Sequence, residues 1–339
     1  RLASRGNADD PASLVAPVLK RAAGPHSTDT LETALSLARM TRGHVTCLVD
    51  TPVMRFTSVD AMGASMVATE ALQEAVASDD AYARELDARL ASEDVKVVLG
   101  LLDARDVIAP FTPGALRGGT HRHEWSADGR WIGFTYNDAV LAEIEERTGT
   151  RVNLRTVGVA TWSPRGPVRV PTGPENNNGE MTAAVVVRVV PEPRPGSDEI
   201  SRAFEDAWVG RDGYARADGS RQRHARAFLG NVRTTDGCEV TEVFIVDIPE
   251  RIDLPGDTGP PEGTATTMPQ PPRGTVQRRL TFTAARKFPG VALEPRHWVR
   301  SAPDGSRIVF LAKDDAGVVQ AFLVAPQDRK STRLNSSHA

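Results

Sequence analysis

A hairpin pattern written twice narrows the folds open to this chain more than any other feature. Thr120-His121-Arg122-His123-Glu124-Trp125-Ser126-Ala127-Asp128-Gly129-Arg130-Trp131-Ile132-Gly133-Phe134-Thr135-Tyr136-Asn137-Asp138 reads as strand, turn and strand. Asp128-Gly129 supplies the positive backbone angles of a two-residue turn. Ile132, Phe134 and Tyr136 alternate with Trp131, Gly133 and Thr135, so both faces of the second strand are largely apolar. That pattern suits a strand buried between two layers. Arg296–Phe310 repeats it: His297 aligns with His121, Asp304-Gly305 with Asp128-Gly129, and Ile308 and Phe310 with Ile132 and Phe134. A repeated hairpin with the same flanks predicts a repeat architecture, for which the four-stranded blades of a β-propeller fit best.

A chain of 339 residues has room for two domains or one large β domain. A formal charge of -3 with 25% charged residues gives no electrostatic footprint for nucleic acid or an anionic membrane. No apolar run is long enough to span a bilayer. The opening Arg1-Leu2-Ala3-Ser4-Arg5-Gly6 lacks the basic-then-apolar order of a secretion signal, and localisation stays open between cytoplasm and periplasm. Cys47 and Cys238, with no CxxC or Cys/His cluster around them, read as small core residues rather than a disulfide or zinc framework.

Composition shifts near residue 97, from Ala-rich and helical to rich in Trp, Phe, Pro, Gly and β-branched residues. The segment 1–97 is therefore expected to be a separate unit, its first 26 residues poorly ordered. A helix is expected from Asp29, a buried strand at His44–Asp50 and a longer helix over Ala64–Ala91, the opening of an α/β layered unit. Leu31–Asp50 and Ser58–Asp94, especially Ser58-Val59-Asp60-Ala61-Met62-Gly63 and Asp79-Asp80-Ala81-Tyr82-Ala83-Arg84-Glu85-Leu86, resemble the first half of a universal stress protein. That resemblance implies a partial flavodoxin-like α/β fold. The family's glycine-rich phosphate loop has no counterpart here, so no cofactor-binding residue is carried over and nucleotide binding is read as lost.

Beyond residue 100, strands are expected at Val140–Glu145 and Val152–Val159, then at Gly166–Val170 and Thr182–Val190. Ser197-Asp198-Glu199 reads as the capped start of a helix, on which Ile200, Phe204 and Trp208 share one face. This face is either a plug docked on a sheet or a partner-recognition element. Arg211–Arg226, where arginines alternate with Asp and Gly, reads as a solvated loop. Ala225–Val232 and Val240–Ile248 read as a strand pair, Arg251–Gly274 as a surface insertion, and Arg278–Thr283 and Gln320–Ala325 as further strands. Residues 101–327 resemble a family of uncharacterised TolB-like β-propellers, some members of which are described as Tol biopolymer-transport proteins. The resemblance is carried by Ile108-Ala109-Pro110-Phe111-Thr112-Pro113-Gly114, Phe134-Thr135-Tyr136-Asn137-Asp138, Pro195-Gly196-Ser197-Asp198-Glu199-Ile200, Trp208-Val209-Gly210, Gln277-Arg278-Arg279-Leu280-Thr281-Phe282-Thr283 and Pro295-Arg296-His297-Trp298-Val299-Arg300. It implies a mainly β fold: an incomplete TolB-like propeller preceded by the partial α/β segment.

Residues 328–339 stand apart. Asp328-Arg329-Lys330-Ser331-Thr332-Arg333-Leu334-Asn335-Ser336-Ser337-His338 is the reading-frame translation of what looks like a widely used short-read sequencing adapter, and is expected to be a non-native tail. With that clue, the change near residue 97 reads as a join between two genes. The conservative alternative is a genuine two-domain protein.

Two functions follow from these patterns. The first is a binding or scaffold propeller with a protein or envelope-component partner in an envelope or transport-related process, since propeller ends present loops around a central channel. The second is a metal-dependent enzyme acting on acidic oligosaccharides, similar to propeller oligogalacturonate lyases. Its ligands would be His121, His123 and His297, which stand just before or within innermost strands, holding a divalent transition metal such as manganese or iron. No G-x-S-x-G, H-E-x-x-H or Walker sequence is present, so no catalytic residue is assigned. Glu124 is read as a lone acidic neighbour of His123, and Asp198-Glu199 as helix capping.

Overall fold

A computed structural model describes residues 101–327 apart from Pro164, together with the backbone of three short strands at 45–48, 97–100 and 335–336. The chain divides into two compact units, Arg1–Leu102 and Asp103–Ala339. In the first, β1 (Val45–Leu48) pairs in parallel with β2 (Val97–Gly100). β1 lies within the strand expected at His44–Asp50. The helices expected before and after it, and the quoted motifs of the stress-protein resemblance outside β1, lie outside the described residues.

The second unit is mainly β. Its first sheet contains β3 (Gly118–Trp125), β4 (Trp131–Asp138), β5 (Thr156–Trp162) and β6 (Met181–Val185), hydrogen-bonded in chain order and antiparallel throughout. One helix, α1 (Ala139–Thr148), sits between β4 and β5. The second sheet follows the same meander: β7 (Ile200–Trp208), β10 (Ala225–Arg233), β11 (Glu239–Asp247) and β12 (Val276–Arg279). A small hairpin, β8 (Tyr214–Ala215) with β9 (Arg221–Gln222), is inserted between β7 and β10. The third sheet comprises β13 (Arg300–Ser301), β14 (Ile308–Lys313), β15 (Val319–Val324) and β16 (Asn335–Ser336), again in chain order. Its last strand comes from the tail read as adapter.

Alternation dictates most of this. β4 is buried at seven of its eight positions, as a strand apolar on both faces must be. The second and third sheets share one core, in which Phe204, Leu229, Val243, Ile245, Phe310 and Phe322 pack together. Phe228 stacks on Phe244 and Phe310 on Phe322, with ring centroids 5.6 and 6.0 Å apart. The two repeated hairpins close alike. Ser126 N–H donates to the Trp131 carbonyl and Ala302 N–H to that of Arg307, both at 2.8 Å. Gly129 and Gly305 take positive φ of 68° and 76°. The loop thus holds four residues, not the expected two, and glycine alone takes the left-handed conformation that was also expected of aspartate.

Several expectations are corrected. The strand expected at Val140–Glu145 is the helix α1. Asp138 Oδ1 caps it by accepting from Leu141 N–H at 2.9 Å, and Gly149 ends it at φ 69°. The helix expected from Ser197 is the strand β7, and Glu199 caps no helix: its carboxylate accepts from Arg194 N–H at 2.9 Å. Gly166–Val170 forms no strand, only a bridge from Val168 to Gly179. Cys238 is exposed, in the turn between β10 and β11, rather than in the core. The insertion at Arg251–Gly274 is anchored. Arg117, wholly buried, donates to the Thr267 carbonyl at 2.9 Å and also to that of Thr264. Arg117 in turn is held by Asp138 at 2.6 Å, which also accepts from Tyr136 at 2.9 Å. Burial and the Asp138 charge push the Tyr136 phenol well above its ordinary range.

Candidate functional site

The first strands of the first two sheets carry the same irregularity. Between His121 and Glu124, β3 advances three residues while β4 advances two, from Thr135 to Gly133. Between Phe204 and Ala207, β7 advances three while β10 advances two. Each strand therefore has a β-bulge, and at each bulge a charged residue takes positive φ: Arg122 at 62° and Glu205 at 50°. Each lies three residues before a Trp that ends its strand, Trp125 or Trp208. Strain of this kind is held only where the surroundings over-determine it.

The bulges bring together charges that are scattered in the sequence. Arg226, read as part of a solvated loop, is wholly buried and pairs with Asp206, its Nε donating at 2.7 Å. Its guanidinium also approaches Glu124 at 3.3 Å and covers the Trp208 ring at 4.8 Å. Gly133 makes room for it: a Cβ there would lie 2.0 Å from Arg226 Nη1. Arg122 donates to the Asp206 carbonyl at 3.0 Å and lies 3.9 Å above the Trp298 ring. Arg296 pairs with Glu205 at 2.9 Å and Arg300 with Glu124 at 3.6 Å. Burial pulls the Arg122 guanidinium below its ordinary value, against the opposing charges of Asp206 and Glu124. The outcome is a seam of alternating guanidiniums and carboxylates, and Glu124, read as a lone acidic neighbour, sits within it.

The histidines lie beside this seam but do not converge. His121 Nε2 contacts the Arg155 guanidinium, and His123 Nε2 lies 3.1 Å from Thr120 Oγ1. His297 Nε2 accepts from Leu311 N–H at 3.1 Å, leaving Nδ1–H to face the Pro295 carbonyl at 3.2 Å. Both His297 nitrogens are thus engaged. Among the described residues no group of three His, Cys, Asp or Glu side chains is placed to hold a metal ion. Of the residues assigned to partner recognition, Ile200 and Phe204 are buried in β7, while Trp208 donates from Nε1 to the Glu124 carbonyl at 2.8 Å. Ile200 also backs a cleft of about 290 Å³ rimmed by Arg188, Arg194 and Glu199.

Residues 80–177 match a family described as a protein of unknown function (DUF3748). That match runs through 95–101, the position of the expected join. The uncharacterized protein YidR of Escherichia coli (strain K12) is 45% identical over 237 residues, covering 69% of this chain and 52% of that protein. The chain thus spans about half the length of this relative. No solved structure matches.

Proposed function

We propose that residues 101–327 are part of a TolB-like β-propeller acting as a binding or scaffold module, with a protein or envelope component as partner. The observation that carries this reading is the threefold recurrence of one unit: a four-stranded antiparallel meander in chain order. The first strand of the second sheet is tied to the start of the third, since Val299 N–H, just ahead of β13, donates to the Glu205 carbonyl in β7 at 3.4 Å. A propeller places such strands around its axis, where bulges and charges are accessible to a partner. The test is a crystal or cryo-EM structure of a full-length relative, with affinity capture on the same protein. A closed ring with these sheets as adjacent blades, and a recovered partner, are expected. Sheets stacked as a sandwich would refute the propeller, and failure to recover any partner would count against the binding role.

For the first unit we propose a partial flavodoxin-like segment of universal-stress-protein origin joined near residues 95–101, with 328–339 translated from adapter. The parallel pairing of β1 with β2 supports the α/β character, and the family match across 80–177 opposes the join. Sequencing reads running continuously across 95–101 would refute it.

A further inference from the structure

We propose that Arg122, with Arg296 and Arg300 beside it, is a receptor for a carboxylate, supplied by a small polycarboxylate or by an acidic protein segment. The seam sets four guanidiniums (Arg122, Arg226, Arg296, Arg300) against three carboxylates (Glu124, Glu205, Asp206), and four less three leaves one positive charge. Arg226, Arg296 and Arg300 each face a carboxylate. Arg122 does not: among the described residues its hydrogen bond goes to a main-chain carbonyl, and its plane rests on Trp298. A half-buried guanidinium with no carboxylate in hydrogen-bond contact is costly, and burial lowers its pKa despite the nearby charges of Asp206 and Glu124.

Of the neighbouring polar atoms that make no hydrogen bond within the protein, Trp298 Nε1 is the donor that can serve a carboxylate; Glu205 Oε2 and Asp206 Oδ1 are acceptors, and Arg226 Nη1 faces Gly133. Asp206 and Arg226 are both 1% exposed, so the wall of the seam on which Arg122 rests is fixed in the interior. The way in is open, because the side chains of Arg296 and Arg300 are 67% and 51% exposed. The planar fork of Arg122 matches a flat carboxylate, which can meet two of its N–H groups at once.

This receptor deepens the binding reading and rests on it, yet it does not need the ring to be closed. The test is calorimetric titration of the full chain with citrate and with a hexaglutamate peptide, at low salt. One site is expected for at least one of them, citrate alone marking a free acid and the peptide alone an acidic segment. Removing one charged partner is worth a loss of at least about tenfold. Arg122→Gln and, in case that variant folds poorly, the half-exposed Arg300→Gln should each show that loss. Arg251→Gln, which alters an exposed arginine paired with Asp253 outside the seam, should not. Silence of the wild-type chain toward both probes would overturn the proposal, as would equal losses in all three variants. A relative with a closed ring but no titratable site would sink the receptor alone. Binding by a protein whose sheets form no ring would sink the propeller and leave the receptor standing.

Discussion

Asp138 joins three parts of the fold, and replacing it by asparagine separates their contributions. Its Oδ1 caps α1 through Leu141 N–H, while Oδ2 accepts from Arg117 Nε at 2.9 Å, Arg117 Nη2 at 2.6 Å and Tyr136 Oη at 2.9 Å. Both members of the ion pair are wholly buried. Asparagine keeps a capping oxygen but loses the charge, leaving the Arg117 guanidinium without compensation in the interior. Breaking a buried pair this way costs about 3–5 kcal/mol. Asp138→Ala removes the cap as well and should cost about 1 kcal/mol more. Arg117→Met combined with Asp138→Leu removes both charges, and should cost much less than either single change. The assay is urea unfolding followed by tryptophan fluorescence, for which the buried Trp131 is a reporter inside the same sheet. A change below about 1 kcal/mol for Asp138→Asn would refute the reasoning, because it would mean that Arg117 reaches solvent or another anion.

Gly133→Ala would drive a Cβ to within 2.0 Å of Arg226 Nη1, so overpacking should cost about 1–3 kcal/mol, read as a lower urea midpoint. A second prediction concerns acid. Burial pushes the Asp128 carboxyl up, but hydrogen bonds from His224, Ser126 and the Arg130 N–H together outweigh it and hold the group well below the usual carboxylate range. A depressed folded-state pKa gives stability that is present above the unfolded value near 3.9 and lost as pH falls below it. Asp128→Asn should therefore flatten the loss of stability between about pH 4 and pH 2, and a melting-temperature profile parallel to wild type would count against this. Cys238, exposed in its turn, should react with maleimide in the native Cys47→Ser protein, whereas protection until unfolding would place it in a core after all.

The legible parts of the fold were those in which local pattern and tertiary role agree. β10 and β11 lie within two residues of their expected limits because their apolar runs flank a turn around Gly237. β4 declared its two-sided burial through Trp131–Tyr136. The misread parts have physical causes. α1 buries Leu141 and leaves its remaining residues partly or fully exposed, so it shows little amphipathic stripe, although its cap residues Asp138 and Gly149 were there to be read. The helix expected in place of β7 rests on Ile200, Phe204 and Trp208 falling four apart. Two register shifts, between Ile200 and Ala203 and between Phe204 and Ala207, make its burial repeat every third residue instead of every second. The site was harder still. Its pairs join Arg226 to Asp206 across 20 positions and to Glu124 across 102, and charges so separated carry no local signal.

The bulges tie these observations together. A strand packed on both faces has little room for charged side chains unless the backbone re-aims them. An inserted residue does this by breaking the two-residue alternation at one point. Glycine would take the positive φ at almost no cost, whereas Arg122 and Glu205 each hold it at about 1–3 kcal/mol. The side chains at these points are therefore what the local strain supports: a guanidinium over Trp298 and a carboxylate against Arg296. Arg122→Gly makes the trade explicit. It relieves the backbone while deleting the guanidinium, so it should lose less stability than Arg122→Ala and yet lose carboxylate binding as fully as Arg122→Gln. Urea midpoints of the two variants, read beside their citrate titrations, would separate the backbone cost at this residue from the guanidinium's part in recognition, and a Gly variant no more stable than the Ala variant would refute the strain.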